Sequence, residues 1–171
     1  MNLDFYIARL SANAETIKSL VGNLSDEQIF WKNDLEKWSI LQIVFHLRQT
    51  ERKDFRLRLE KTLRDESEEW TPFVPEETHL AQDVNTGNNL AELLKDFLAE
   101  REKSVAWLKT LRNPNFQNAH RHNESKLSAG DLLASWLAHD FLHIKQIVRL
   151  HYDYVNHISQ PFETVYAGEW T

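Results

Sequence analysis

A chain of 171 residues fits one domain with room for a substantial core, and its formal net charge of −6 argues against a nucleic-acid partner. Zero cysteines exclude a thiol nucleophile, a disulfide framework and a thiolate metal site. No run approaches the roughly 18 apolar residues that a membrane span needs. Only four Gly and four Pro, with abundant Leu, Glu, Lys and Ala, favour an all-α fold. The N-terminus, MNLDFYIARLSANAE, has no basic lead followed by an apolar block, so no secretory signal is read there and a cytoplasmic location is the default expectation.

In chain order, Leu3, Ile7, Leu10, Ala14, Ile17 and Val21 recur at helical spacing and predict an amphipathic helix ending near Gly22. Ser25 with Gln28 has the capping-box pattern of a short helical turn through Ile29, Phe30 and Trp31. Ser39 with Gln42 repeats that pattern and opens a long helix to about Arg64. On it Ile40, Ile43, Val44 and Leu47 share a sector, with His46 at its edge beside polar Gln42 and Thr50, so His46 is read as lining a partly wet cavity. Residues 65–87 hold two prolines and an acidic start. They read as a long crossover that lets consecutive helices lie parallel, tethered by Trp70 and Phe73. A third helix is predicted from about Asn88 to Leu111, then a polar loop over residues 112–127 with a turn at Asn113-Pro114. Ser128, with Asp131 in the capping-box position, opens a last helix to about Tyr152. The tail from Asp153 to Thr171 carries Phe162, Tyr166 and Trp170, and within a single domain spanning residues 1–171 it is expected to pack across the bundle or a partner subunit.

The last predicted helix carries the chemistry. Steps of four and three from Leu132 reach Trp136, His139, His143, Ile147 and Leu150, which share one face. Its inward stripe therefore has two histidines in the middle. A buried imidazole must find a partner, and one metal ion would serve both rings at this i, i+4 spacing. The spacing alone is weak, because eight histidines in 171 residues give roughly 0.4 such pairs by chance. Position on the buried stripe strengthens it, as does His46, a third imidazole from another helix. The competing reading has core histidines bonded to each other, to carbonyls or to Glu51. Glu51 itself lies in an apolar sector and reads as a ligand, an acceptor for an imidazole N–H or, the favoured case, a salt-bridge partner. His120 and His122 read as exposed loop residues, with a place over a pocket mouth as the alternative; His79, His151 and His157 have no companion at metal spacing. Trp136 reads as core or as a pocket wall.

The segments WSILQIVFHLRQTE and LLASWLAHDFLHIKQI, separated by the long crossover, resemble the DinB superfamily of DinB/YfiT-like metalloenzymes. The shared pattern is a Trp-Ser step opening a helix that carries His before Leu (Trp38, Ser39, His46, Leu47), then a late His-Asp-x-x-His-x-x-Gln-Ile (His139, Asp140, His143, Gln146, Ile147). The resemblance covers about residues 1–152. It implies a four-helix bundle with up-down-down-up connectivity, and a divalent metal ion, commonly zinc or nickel, on three histidines matching His46, His139 and His143. Three neutral imidazoles leave such an ion with at least one open position, the arrangement of a catalytic site. Characterised relatives include thiol-dependent S-transferases, so the resemblance implies an enzyme that joins a small-molecule substrate to a low-molecular-weight thiol cosubstrate. A metal-dependent hydrolase with Glu51 or a loop histidine as base is the alternative enzyme, and a non-catalytic metal- or small-molecule-binding stress-related protein the alternative outside catalysis. A homodimer is a further implication.

Overall fold

Side-chain caps set where the helices begin. Asn2 accepts from the Phe5 amide to start α1 (Leu3–Val21), and complete capping boxes at Ser25/Gln28 and Ser39/Gln42 start α2 (Asp26–Phe30) and α3 (Ile40–Lys53). After α4 (Phe55–Arg64), Asn89 caps α5 (Leu90–Thr110) through the Ala91 amide, and the Ser128/Asp131 box starts α6 (Ala129–Ile158). A short antiparallel hairpin, β1 (Ala119–His122) with β2 (Ser125–Ser128), leads into α6, and a 3₁₀ turn at Val165–Ala167 lies in the tail. This computed structural model describes residues 1–64, 70, 89–122, 125–168 and 170. The predicted crossover, with Phe73 and His79, lies almost wholly outside the described residues.

Contacts between helices give the connectivity. Arg48 reaches Asp96 at 3.3 Å and Arg56 reaches Glu100 at 2.8 Å, so the contacts advance together and α3–α4 runs parallel to α5. Asn13 meets Asp140 and His151 meets the Leu20 carbonyl, so α1 and α6 are parallel too. Between α3 and α6 the order reverses, since His46 meets His139 while Glu51 meets Trp136. The bundle is therefore four-membered and up-down-down-up, as the resemblance implies. Among the described residues no helix is long and apolar enough to cross a membrane.

The apolar interior falls into two blocks. One contains Ile17, Val21, Leu41, Val44, Leu47, Phe97 and Ile147; the other Leu10, Leu59, Leu108, Leu133 and Trp136. Every long member places buried polar residues between the blocks: Asn13 on α1, His46, Thr50 and Glu51 on α3, Arg101 on α5, and Asp140 and His143 on α6. A polar layer thus cuts the core, at a cost that only mutual pairing of its members offsets.

Three predicted boundaries are corrected. The helix from Ser39 to Arg64 is broken at Asp54, whose backbone (φ −121°, ψ −92°) leaves the helical region. Just upstream, the Thr50 hydroxyl bonds the carbonyls of His46 and Leu47, a competition that weakens helix continuity. The loop after α5 contains the hairpin, which its short polar strands disguised. Helix α6 also runs past Tyr152 to Ile158, supported by an Arg149–Asp153 pair and buried Tyr154. In the tail, Phe162 and Tyr166 are exposed, while Trp170 packs on the Tyr152 ring.

Candidate metal centre

Helix α3 contributes His46 and α6 contributes His139 and His143, and the three rings converge. His139 Nε2 lies 3.1 Å from His46 Nε2 and 3.1 Å from His143 Nε2. One ligand atom from each ring lies within 4.8 Å of the other two. An imidazole nitrogen has either one N–H or one in-plane lone pair, so His139 Nε2 can make a well-aligned hydrogen bond to one neighbour only, the second contact being at most a shared, three-centre one. Two nitrogens bound at about 2.0–2.1 Å to a common ion stand about 2.9–3.4 Å apart for angles near 90–110°. The observed spacing fits a shared cation.

Neighbours fix the rings. His143 Nδ1–H donates to Gln146 Oε1 at 3.0 Å, which leaves its Nε2 as the lone-pair atom. Trp38 packs on His46 with centroids 4.8 Å apart and stacks on His143 at 6.0 Å, while Phe55 covers His139 at 5.0 Å. Burial, then His143, His46 and Arg101, pushes the His139 imidazole down to about 2. Burial also lowers His143, against partial support for its charged form from Gln146 and Asp140. Both rings are thus neutral near pH 7, the state a metal requires.

Behind the rings lies a buried charge cluster. Arg101 donates from both terminal nitrogens to Asp140 at 2.7 and 2.8 Å, pairs with Glu51 Oε2 at 2.9 Å and donates to the Leu10 carbonyl at 2.9 Å. Burial opposes its charge, but Glu51 and Asp140 outweigh that and hold the guanidinium above its ordinary value. The Trp136 indole donates to Glu51 Oε2 at 3.0 Å. Glu51 Oε1 is buried with no hydrogen-bond partner among the described residues. Asp140, in sequence the neighbour of His139, thereby anchors α6 to α5, and Glu51 anchors α3 to both.

The structure brings His46, His139 and His143 together and places Glu51 in the ion pair, outside the imidazole cluster. It corrects two finer expectations, for His46 and His120, and decides the two readings of Trp136 in favour of the core. His46 is 5% exposed, so it lies in the buried layer, with the Trp38 ring packed against it. Trp136 is 1% exposed and belongs to the core, its indole spent on Glu51. His120 is buried on β1, stacked on Trp70 at 4.4 Å. The side chain of His122 lies outside the described residues. Sequence reading missed Arg101, although the stripe Leu94, Phe97, Arg101, Val105, Leu108 puts a charge where an apolar residue is due. It also missed what Gln146, Trp38 and Phe55 do, because their partners are set by packing.

Comparison with known proteins agrees. Curated proteins give no match. Among solved structures, YfiT from Bacillus subtilis, described as a probable metal-dependent hydrolase with an unusual four-helix bundle topology, superposes with a TM-score of 0.78 at 20% identity, covering 88% of this chain and 86% of that one. At that identity the likeness speaks for the fold. The family model of the DinB superfamily matches residues 9–147, a span that includes all three histidines and most of the bundle. By that match, the chain belongs to the DinB superfamily.

Proposed function

We propose that this protein is a metal-dependent enzyme acting on a small molecule, with a divalent ion, zinc or nickel, held by His46, His139 and His143. The observation that carries this reading is the pair of 3.1 Å contacts at His139 Nε2, of which a single N–H or lone pair can make only one well-aligned hydrogen bond. When bound, such an ion supplies Lewis acidity to a carbonyl or a water, or a seat for a thiolate. The chain's own residues do the rest. Gln146 holds the His143 tautomer, and Trp38 and Phe55 keep bulk water from the ring faces. Glu51 is assigned a positioning role, because Oε2 is shared by Arg101 and the Trp136 indole.

Hydrolysis is the first reading, supported by the description of YfiT as a probable metal-dependent hydrolase. Transfer of a low-molecular-weight thiol is the second. It is favoured by an all-imidazole donor set, which adds no negative charge and leaves the ion's full charge for an incoming thiolate. The test takes metal-stripped protein reloaded with zinc or nickel. It is assayed on activated esters and amides without thiol, then on an electrophile with a low-molecular-weight thiol. Turnover in either assay only when metal is present, and lost in His139→Ala, supports the enzyme, and the thiol requirement selects the reaction. Turnover unchanged in His139→Ala, or none in both assays, would overturn it.

A further inference from the structure

A cleft of about 580 Å³ opens between the segment entering α3 and the outer face of α6. Trp38, Leu142 and Trp170 supply apolar walls, and Lys37, Lys145 and Arg149 supply charge. Asp153 is the acid among the lining residues, and both its oxygens are engaged: Oδ1 takes Arg149 Nε at 2.8 Å and Oδ2 accepts from Asn33 at 2.6 Å. Lys37 and Lys145 have no ion pair among the described residues. Three cations against one committed carboxylate leave the cleft two charges positive, on a chain whose formal net charge is −6. Scattered surface lysines are ordinarily only solvated. These two differ in lining a concave site that two indoles, Trp38 and Trp170, also line.

The tail completes that site. The Arg149 guanidinium lies 5.4 Å from the Trp170 ring centre, and Tyr152 packs on the same ring at 5.2 Å, so α6 holds the tail in place as a wall. Trp38 also lines the cleft and packs on His46 and His143; Gln146, likewise at the cleft, holds His143.

We propose that this cleft binds a small organic dianion with a flat apolar body, its charge met by Lys37 and Lys145 and its body held between Trp38 and Trp170. Flat π-systems gain by stacking on indole, and a doubly negative head is the complement of a cleft two charges positive. The site does not depend on a metal being bound, and its occupant would lie against two residues that hold the imidazoles.

The probe is 1-naphthyl phosphate, titrated into the full chain by tryptophan fluorescence, with 1-naphthol and inorganic phosphate as the half-probes. Saturable quenching by the naphthyl phosphate is expected, at least about tenfold tighter than either half-probe. Lys37→Met/Lys145→Met and, separately, Trp170→Ala should each weaken it at least about tenfold without changing the melting transition. His46→Ala, stripped of metal, should bind it as wild type does. Equal binding by wild type and the lysine variant, or equal binding of 1-naphthol, would overturn the proposal. So would loss of binding in His46→Ala alone, which would place the anion at the histidines.

Discussion

Replacing Arg101 by methionine removes the cation from a trio whose members are buried almost completely, with Arg101 at 2%, Glu51 at 1% and Asp140 at 0% exposure. The trio carries one net negative charge with the arginine and two without it. Methionine fills much of the volume, so the electrostatic part of the loss is isolated. Removing one partner of a buried ion pair costs about 3–5 kcal/mol, because the remaining charge stays desolvated. In a domain of this size each kcal/mol lowers the melting temperature by about 2–4 °C, which gives a fall of about 6–20 °C. The triple variant Glu51→Gln/Arg101→Met/Asp140→Asn, which carries no buried charge, should recover a large part of the loss. Chemical denaturation of wild type, Arg101→Met and the triple variant measures all of this. A loss below about 1 kcal/mol, or a triple variant no more stable than Arg101→Met, would refute the assignment of this cluster as a mutually dependent charge layer.

Gln146→Leu deletes the acceptor for His143 Nδ1–H while leaving the three Nε2 atoms in place, and metal affinity measured by competition with a chromophoric chelator should fall about 10- to 100-fold. Metal-free protein should lose stability on acidification from about pH 6.5. His139 and His143 are held neutral in the fold, so the unfolded chain binds more protons throughout that range, and stability present above the ordinary histidine value drains away as pH falls toward about 2, where His139 itself protonates. A melting temperature flat between pH 7 and the onset of carboxylate titration would contradict this. Ser39→Ala removes the side-chain acceptor for the Gln42 amide at the start of α3 and should cost about 1 kcal/mol, read as a drop of about 2–4 °C in melting temperature.

The fold and the three histidines were legible because each leaves a local trace. Capping boxes at Ser25, Ser39 and Ser128 mark helix starts within a few residues, and the four-three spacing through Trp136, His139, His143 and Ile147 marks the face that turns inward. What stayed hidden depends on partners distant in sequence. The break at Asp54 occurs inside a stretch whose periodicity barely changes. The hairpin is built from polar residues whose pairing, Ala119 with Ser128 and His120 with Leu127, has no alternating apolar signature. Glu51 was readable as a salt-bridge partner from its apolar surroundings, yet only the fold shows Arg101, 50 residues away on a parallel helix, as the cation it meets. The cleft behind Trp38 was not readable, because it needs Trp170 from the tail and Lys37 from the loop before α3 to meet one face of α6.

Elemental analysis of protein purified without an affinity tag, wild type beside His46→Ala and His143→Ala, addresses the centre most directly. The convergence of the three nitrogens predicts close to one equivalent of a divalent transition metal per wild-type chain and a sharp loss in both variants, each remaining folded by circular dichroism. Wild-type protein that takes up no such ion when offered zinc or nickel, or a His46→Ala variant that retains the full complement, would contradict it.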